Sequence, residues 1–204
     1  MICQTKVYHT RPGKLSGRFC FIADRIMSIG QINSKIMVVM ETLMLERYIR
    51  DAQLAFKLKD FQEGRRLLEE ALSIEPVFGK AHTLLGWLYL FQINDWEKAE
   101  IHLKLALKYA PSYSTPYLHM SYILFEKGRF KELTGLLDKA LTVGGVSKAL
   151  IYNNYGRMFE ADGQFRKAVR FYKTAIQWAF SEEELQMIKT NIKRCRDKRW
   201  VLLL

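Results

Sequence analysis

The sequence has little cysteine, little histidine and no long hydrophobic run, and each shortage closes off a class of function. Its three cysteines, Cys3, Cys20 and Cys195, are scattered without metal-ligand spacing and give no disulfide framework. This argues against a disulfide-stapled secreted protein. The usage suits a reducing compartment, with the cytoplasm the expected location. The longest apolar run, Leu84 to Phe91, is eight residues, far short of a bilayer span. The four histidines, His9, His82, His102 and His119, show neither ligand nor catalytic-triad spacing. There is no phosphate-binding glycine loop, and Gly144-Gly145 reads as a turn. These gaps argue against an enzyme and against a bound metal or cofactor. Acid is short as well: 21 Asp and Glu face 32 Lys and Arg, a formal net charge of +11.

What is present is a period. Small residues recur at Ala52, Gly86, Ser121 and Gly156, in steps of 34, 35 and 35 residues. Ala71, Ala106, Ala140 and Ala175 keep the same beat, as do Gly64, Ala99, Leu133 and Ala168. A fourth series runs Pro76, Pro111, Gly145 and Phe180. Self-similarity at this spacing indicates a solenoid of stacked helical hairpins, a scaffold more than a frame around a catalytic pocket.

The second unit shows the construction. His82, Leu85, Gly86 and Tyr89 form one helical stripe, the loop Gln92-Ile93-Asn94-Asp95 breaks it, and a second helix carries Ala99, Leu103 and Ala106 before Pro111. This pattern resembles the tetratricopeptide repeat, which sets an aromatic, a Leu-Gly pair and a Tyr on the first helix, then an Ala, an aromatic and a Pro. The fourth unit fits too, with Tyr152, Tyr155, Gly156, Phe159, Ala168, Tyr172 and Ala175. The first and third are looser. His82 replaces the opening aromatic, and Gly145 and Phe180 replace the closing Pro. The resemblance implies an all-α, right-handed α-solenoid of about four hairpins over residues 41–180, with units near 45–78, 79–113, 114–147 and 148–180.

The flanks differ. Residues 1–39 hold six basic residues against Asp24, and Pro12-Gly13 breaks any helix there. Residues 1–34 are expected to be a disordered basic tail, an acid-poor targeting segment, or the result of a start assigned upstream of Met37 or Met40. Helix is expected from Ser34 onward. Residues 181–204 read as a capping helix and an apolar tail. Ser181 with Glu184 makes a capping box, Leu185, Ile188 and Ile192 give the apolar stripe, and Trp200 opens the tail.

In the resembled family the first helix of each hairpin lines a groove. The corresponding positions here include Phe56 in the first unit and Leu84, Trp87 and Phe91 in the second. The third contributes His119, Tyr122 and Phe125, and the fourth Asn153, Asn154 and Arg157. Trp87, Phe91, Tyr122 and Phe125 form the candidate anchor cluster, because aromatics in a concave site carry much of the binding energy. Asn153, Asn154 and Arg157 form a polar edge able to hold a peptide backbone. The residues of the family's clamp for acidic chaperone tails are not matched. The groove's expected occupant is a peptide or helix of a partner protein. Its rivals are residues 19–40, the Val201–Leu204 tail, or a second copy forming a homodimer through the groove or the C-terminus. His82 belongs to the core, and His102 to an outer, solvated face. From Gln164 to Leu204 ten basic residues face four acids, about +6 of the net charge, so a basic nucleic-acid-associated scaffold is the alternative function.

Overall fold

A computed structural model describes the backbone of residues 17–201 and the side chains of residues 36–200. Among the described residues there are nine α-helices and no strand. They are α1 (Gly17–Lys57), α2 (Phe61–Ile74), α3 (Gly79–Leu88), α4 (Trp96–Tyr109), α5 (Thr115–Glu126), α6 (Phe130–Leu141), α7 (Lys148–Ala161), α8 (Phe165–Gln177) and α9 (Glu182–Val201). Two compact units divide the chain, Met1–Arg47 and Tyr48–Leu204. The described part of the first is the N-terminal stretch of α1. The second begins in the last turns of α1 and holds α2 to α9. None of the described helices is long and apolar enough to cross a membrane.

Helix α1 begins at Gly17, well before Ser34, where the sequence reading starts it. From Gly17 to Lys57 there is no proline, so nothing forces a break. The expected disorder of residues 1–34 concerns helical backbone from Gly17 on. Residues 1–16, with the Pro12-Gly13 break, lie outside the described residues, as does the tail 202–204.

In the second unit three of the four periodic series are core, and the fourth, Pro76, Pro111, Gly145 and Phe180, is exposed. Ala71, Ala106, Ala140 and Ala175 are buried, as are Ala99, Leu133 and Ala168. A Cβ on Gly86 would lie 2.7 Å from Leu103 Cγ, and one on Gly156 would strike the Tyr172 ring. Larger residues there would prise α3 from α4 and α7 from α8. Two of the second helices, α2 and α4, start on side-chain caps: Asp60 accepts from the Glu63 amide at 3.0 Å and Asp95 from the Lys98 amide at 3.0 Å.

One unit breaks the register. Thirteen residues separate Gly86 from Ala99, against twelve between Ala52 and Gly64, Ser121 and Leu133, and Gly156 and Ala168. The extra residue is taken up as a π-helical turn, Tyr89–Ile93, closed by Asn94 at φ 62°. The loop expected over Gln92–Asp95 is therefore shorter, because Gln92 and Ile93 remain helical.

Helix α9 closes the stack. Ile188, Ile192 and Cys195 are buried against Ala149, Ala168, Tyr172 and Ala175 of α7 and α8. Half of the expected capping box forms: Ser181 Oγ accepts from the Glu184 amide at 3.1 Å. Glu184 in turn accepts from the Phe180 amide and from the Ser147 hydroxyl, both at 3.1 Å, which ties the start of α9 to the start of α7.

Candidate functional site

Within the second unit α3 packs on α5, α5 on α7 and α7 on α9, so the first helices of the hairpins form one wall. Aromatic side chains run along it in contact. Phe61 lies 6.2 Å from Phe56 between ring centroids, Phe56 5.2 Å from Trp87, and Trp87 6.5 Å from Phe91. Phe91 then meets His119 edge-on and Tyr122, each at 5.6 Å, and Tyr122 meets Trp96 at 5.9 Å. Phe56 is buried as a floor, whereas Phe91 is 45% exposed. A cavity of about 540 Å³ opens beside this row, lined by Phe56, Leu84, Trp87 and His119 with Gln53 and Lys57 at its edge. Burial lowers the pKa of His119, which favours the neutral ring at neutral pH.

The four expected anchors are not one cluster. Trp87, Phe91 and Tyr122 are contiguous. Phe125 belongs to a neighbouring cavity of about 450 Å³, shared with Asn153, Arg157, Glu160, Asn191 and Arg194. Its ring neighbour is Phe130, at 6.0 Å, and the Arg157 guanidinium lies over it at 4.1 Å. Arg157 reaches Glu126 only at 3.6 Å, beyond hydrogen-bond distance. The repeat offset treats every unit alike and cannot show that α9 walls off the last one.

The two asparagines are engaged between hairpins. Asn191 Nδ2 of α9 donates to Asn153 Oδ1 at 2.8 Å, and Asn154 Nδ2 of α7 donates to Ser121 Oγ of α5 at 3.1 Å. Glu160, behind them, is buried and accepts from Tyr172 Oη at 2.7 Å, Arg194 Nε at 2.8 Å and Lys198 Nζ at 2.9 Å. Burial alone would raise its pKa, but the bonds from Arg194, Tyr172 and Lys198 prevail and hold it down to about 2. Two cations of the basic C-terminal run, Arg194 and Lys198, thus share one buried carboxylate of the fold.

His82 is a core residue, as its position in the repeat indicates. Its Nε2 lies 3.0 Å from the Pro76 carbonyl, which can only accept, so that nitrogen carries the proton. His82 Nδ1 then accepts from His102 Nδ1 at 3.0 Å. His102 is half-buried and stacked on Tyr89 at 5.5 Å, not solvated on an outer face. Periodicity places its helix face correctly but cannot foresee that His82, standing in for an aromatic, reaches across to it.

Trp96 and Phe61 are not among the positions that the repeat offsets select for the groove. A signal for both exists: Phe61, Trp96, Phe130 and Phe165 recur in steps of 35, 34 and 35, each the first residue of a second helix.

Antiparallel helix pairs stacked in chain order, with their first helices forming a common wall, define an α-solenoid. Its fourth hairpin is a tetratricopeptide repeat: residues 149–182 match the family model of that description, and the stack has the tetratricopeptide fold. PilF of Pseudomonas aeruginosa superposes with a TM-score of 0.67 at 14% identity, over 79% of this chain and 72% of PilF. Yeast Tom70 gives 0.66 at 19% identity, over 76% of this chain but only 33% of Tom70. YrrB, described as a TPR protein with an unusual peptide-binding site, gives 0.59 at 13% identity, over 74% of this chain and 76% of YrrB. No curated protein matches the chain. The general use of this fold is to scaffold protein–protein contacts.

Proposed function

We propose that this chain is a non-catalytic adaptor that holds a segment of a partner protein against the aromatic row of its groove. The observation that carries the reading is the unbroken contact from Phe56 through Trp87 and Phe91 to Tyr122, crossing three first helices beside an open cavity of about 540 Å³. Rigid aromatics at a concave surface give large contact area at little entropic cost. Phe91, 45% exposed at the turn where the second unit takes up its extra residue, is the side chain most available to a ligand. YrrB, of the same fold, is a protein described by its peptide-binding site. The partner segment brings apolar side chains to the cavity of Phe56, Leu84, Trp87 and His119.

Affinity capture with mass spectrometry tests the reading. Trp87→Ala with Phe91→Ala should remove the specific partners, each truncation costing about 2 kcal/mol of binding or more, while circular dichroism stays unchanged. Recovery of the same partners by the folded double variant would refute groove binding.

A further inference from the structure

The stack contains its own controls for charge. On α2, Arg65 pairs with Glu69 at 2.7 Å, and Arg66 with Glu63 at 2.6 Å. On α4, Lys104 pairs with Glu100 at 2.8 Å, and Lys98 with the cap Asp95 at 3.0 Å. At the start of α6, Arg129 pairs with Glu132 at 2.6 Å. The fourth second helix, α8, carries Arg166, Lys167, Arg170 and Lys173 and no acid at all. Two of these cations stand in its first turn, where the helix dipole favours anions.

Helix α9 continues the surplus. Lys189, Lys193 and Arg196 lie at i, i+4 and i+7, one face of the helix, where like charges repel. With Lys173 they converge on a cavity of about 570 Å³, floored by Ile176 and Ile192, in which Asp197 is the one acid. Trp200, 66% exposed, stands at its edge. A neighbouring cavity of about 360 Å³ is lined by Arg166, Lys167 and Arg199, with no acid. By contrast, Arg194 and Lys198 of the same helix turn to Glu160 and serve the fold. The like charges of Lys189, Lys193 and Arg196 along one helix face bring no local stability, and sites that break local rules without structural return are where a ligand is served.

We infer that the α8–α9 face binds single-stranded nucleic acid, its phosphates on Lys173, Lys189, Lys193 and Arg196 and an unpaired base on the Trp200 ring. A cationic track beside an exposed aromatic face is the arrangement that holds single strands without reading sequence. A membrane-docking face needs several protruding apolar side chains. Among the described residues the apolar floor is recessed, with Ile192 buried, and Trp200 is the apolar side chain exposed at the cavity's edge. This face is separate from the aromatic row, so the two readings stand or fall apart.

The test is fluorescence anisotropy of a labelled 15-nucleotide oligouridine with the full chain at 50 to 300 mM NaCl. With four phosphates neutralised, log K should fall against log salt with a slope of about −3. Lys173→Glu with Lys193→Glu should weaken binding at least tenfold. Trp200→Ala should weaken it about tenfold, and Trp200→Phe should restore most of that. Trp87→Ala with Phe91→Ala should leave it unchanged. Replacing Lys173 and Lys193 by Gln should lose binding without lowering the melting temperature, since repulsion is relieved. The inference is overturned by no measurable binding or by indifference to charge reversal. It is equally overturned if the chain binds phosphatidylserine vesicles through these cations and not the oligonucleotide.

Discussion

Single residues decide two features that no repeat pattern contains. One is the imidazole pair. Unfolded, both histidines take up a proton near pH 6.5. In the fold, burial and then the charge of His82 lower His102 to about 4, and burial lowers His82 as well. Between these values the unfolded chain binds more protons, so stability is intact above pH 6.5 and falls as pH drops through that window. The carboxylates act lower down. Burial would raise Glu100, yet bonds from Lys104, Lys127 and Arg129 hold it at about 2. Glu160 is also held at about 2, so both fail only as pH falls from 4.5 through that value. Urea unfolding at pH 7.5 and pH 4.5 should differ by on the order of 1–2 kcal/mol from the histidines. His102→Gln keeps a donor to His82 and should flatten that loss. A parallel pH profile for the variant would show that the pair is not responsible.

Among the elements, the second hairpin is the informative one. Its extra residue is countable in the sequence, but counting cannot say whether a helix or a loop absorbs it. The chain chose the helix, as the π turn Tyr89–Ile93, and Asn94 makes the exit at φ 62°. Asn94 Oδ1 also accepts from Trp96 Nε1 at 2.6 Å, which holds the ring that meets Tyr122. Asn94→Ala should therefore cost about 2 kcal/mol, combining left-handed strain with a lost bond. Asn94→Gly removes the bond but not the backbone freedom, so about 1 kcal/mol is expected from chemical denaturation. Equal costs for both would contradict this view of the turn. The paired helices of the other hairpins were legible, because small residues recur at their crossings, as at Gly156 where a Cβ would strike Tyr172, but the early start of α1 was not.

For the whole molecule, the solenoid was readable because its period is a packing requirement repeated four times. The groove was readable only in part. Trp87, Phe91 and Tyr122 are in contact along one wall. Phe125 does not join them: α9 ends the stack and draws Asn153, Asn191, Arg194 and Glu160 into a polar cavity that no repeat offset describes. The same helix divides the basic C-terminus into cations bonded to Glu160 and cations facing outward, a division invisible to a charge count. Adaptor function rests on the apolar half. It is tested by calorimetric titration of the tightest peptide selected from a random library, at 50 and 500 mM NaCl, with wild type and the Trp87→Ala, Phe91→Ala variant. Affinity should change less than about threefold with salt and fall by about three orders of magnitude in the variant. An affinity that collapses with salt, or survives loss of both rings, would contradict it.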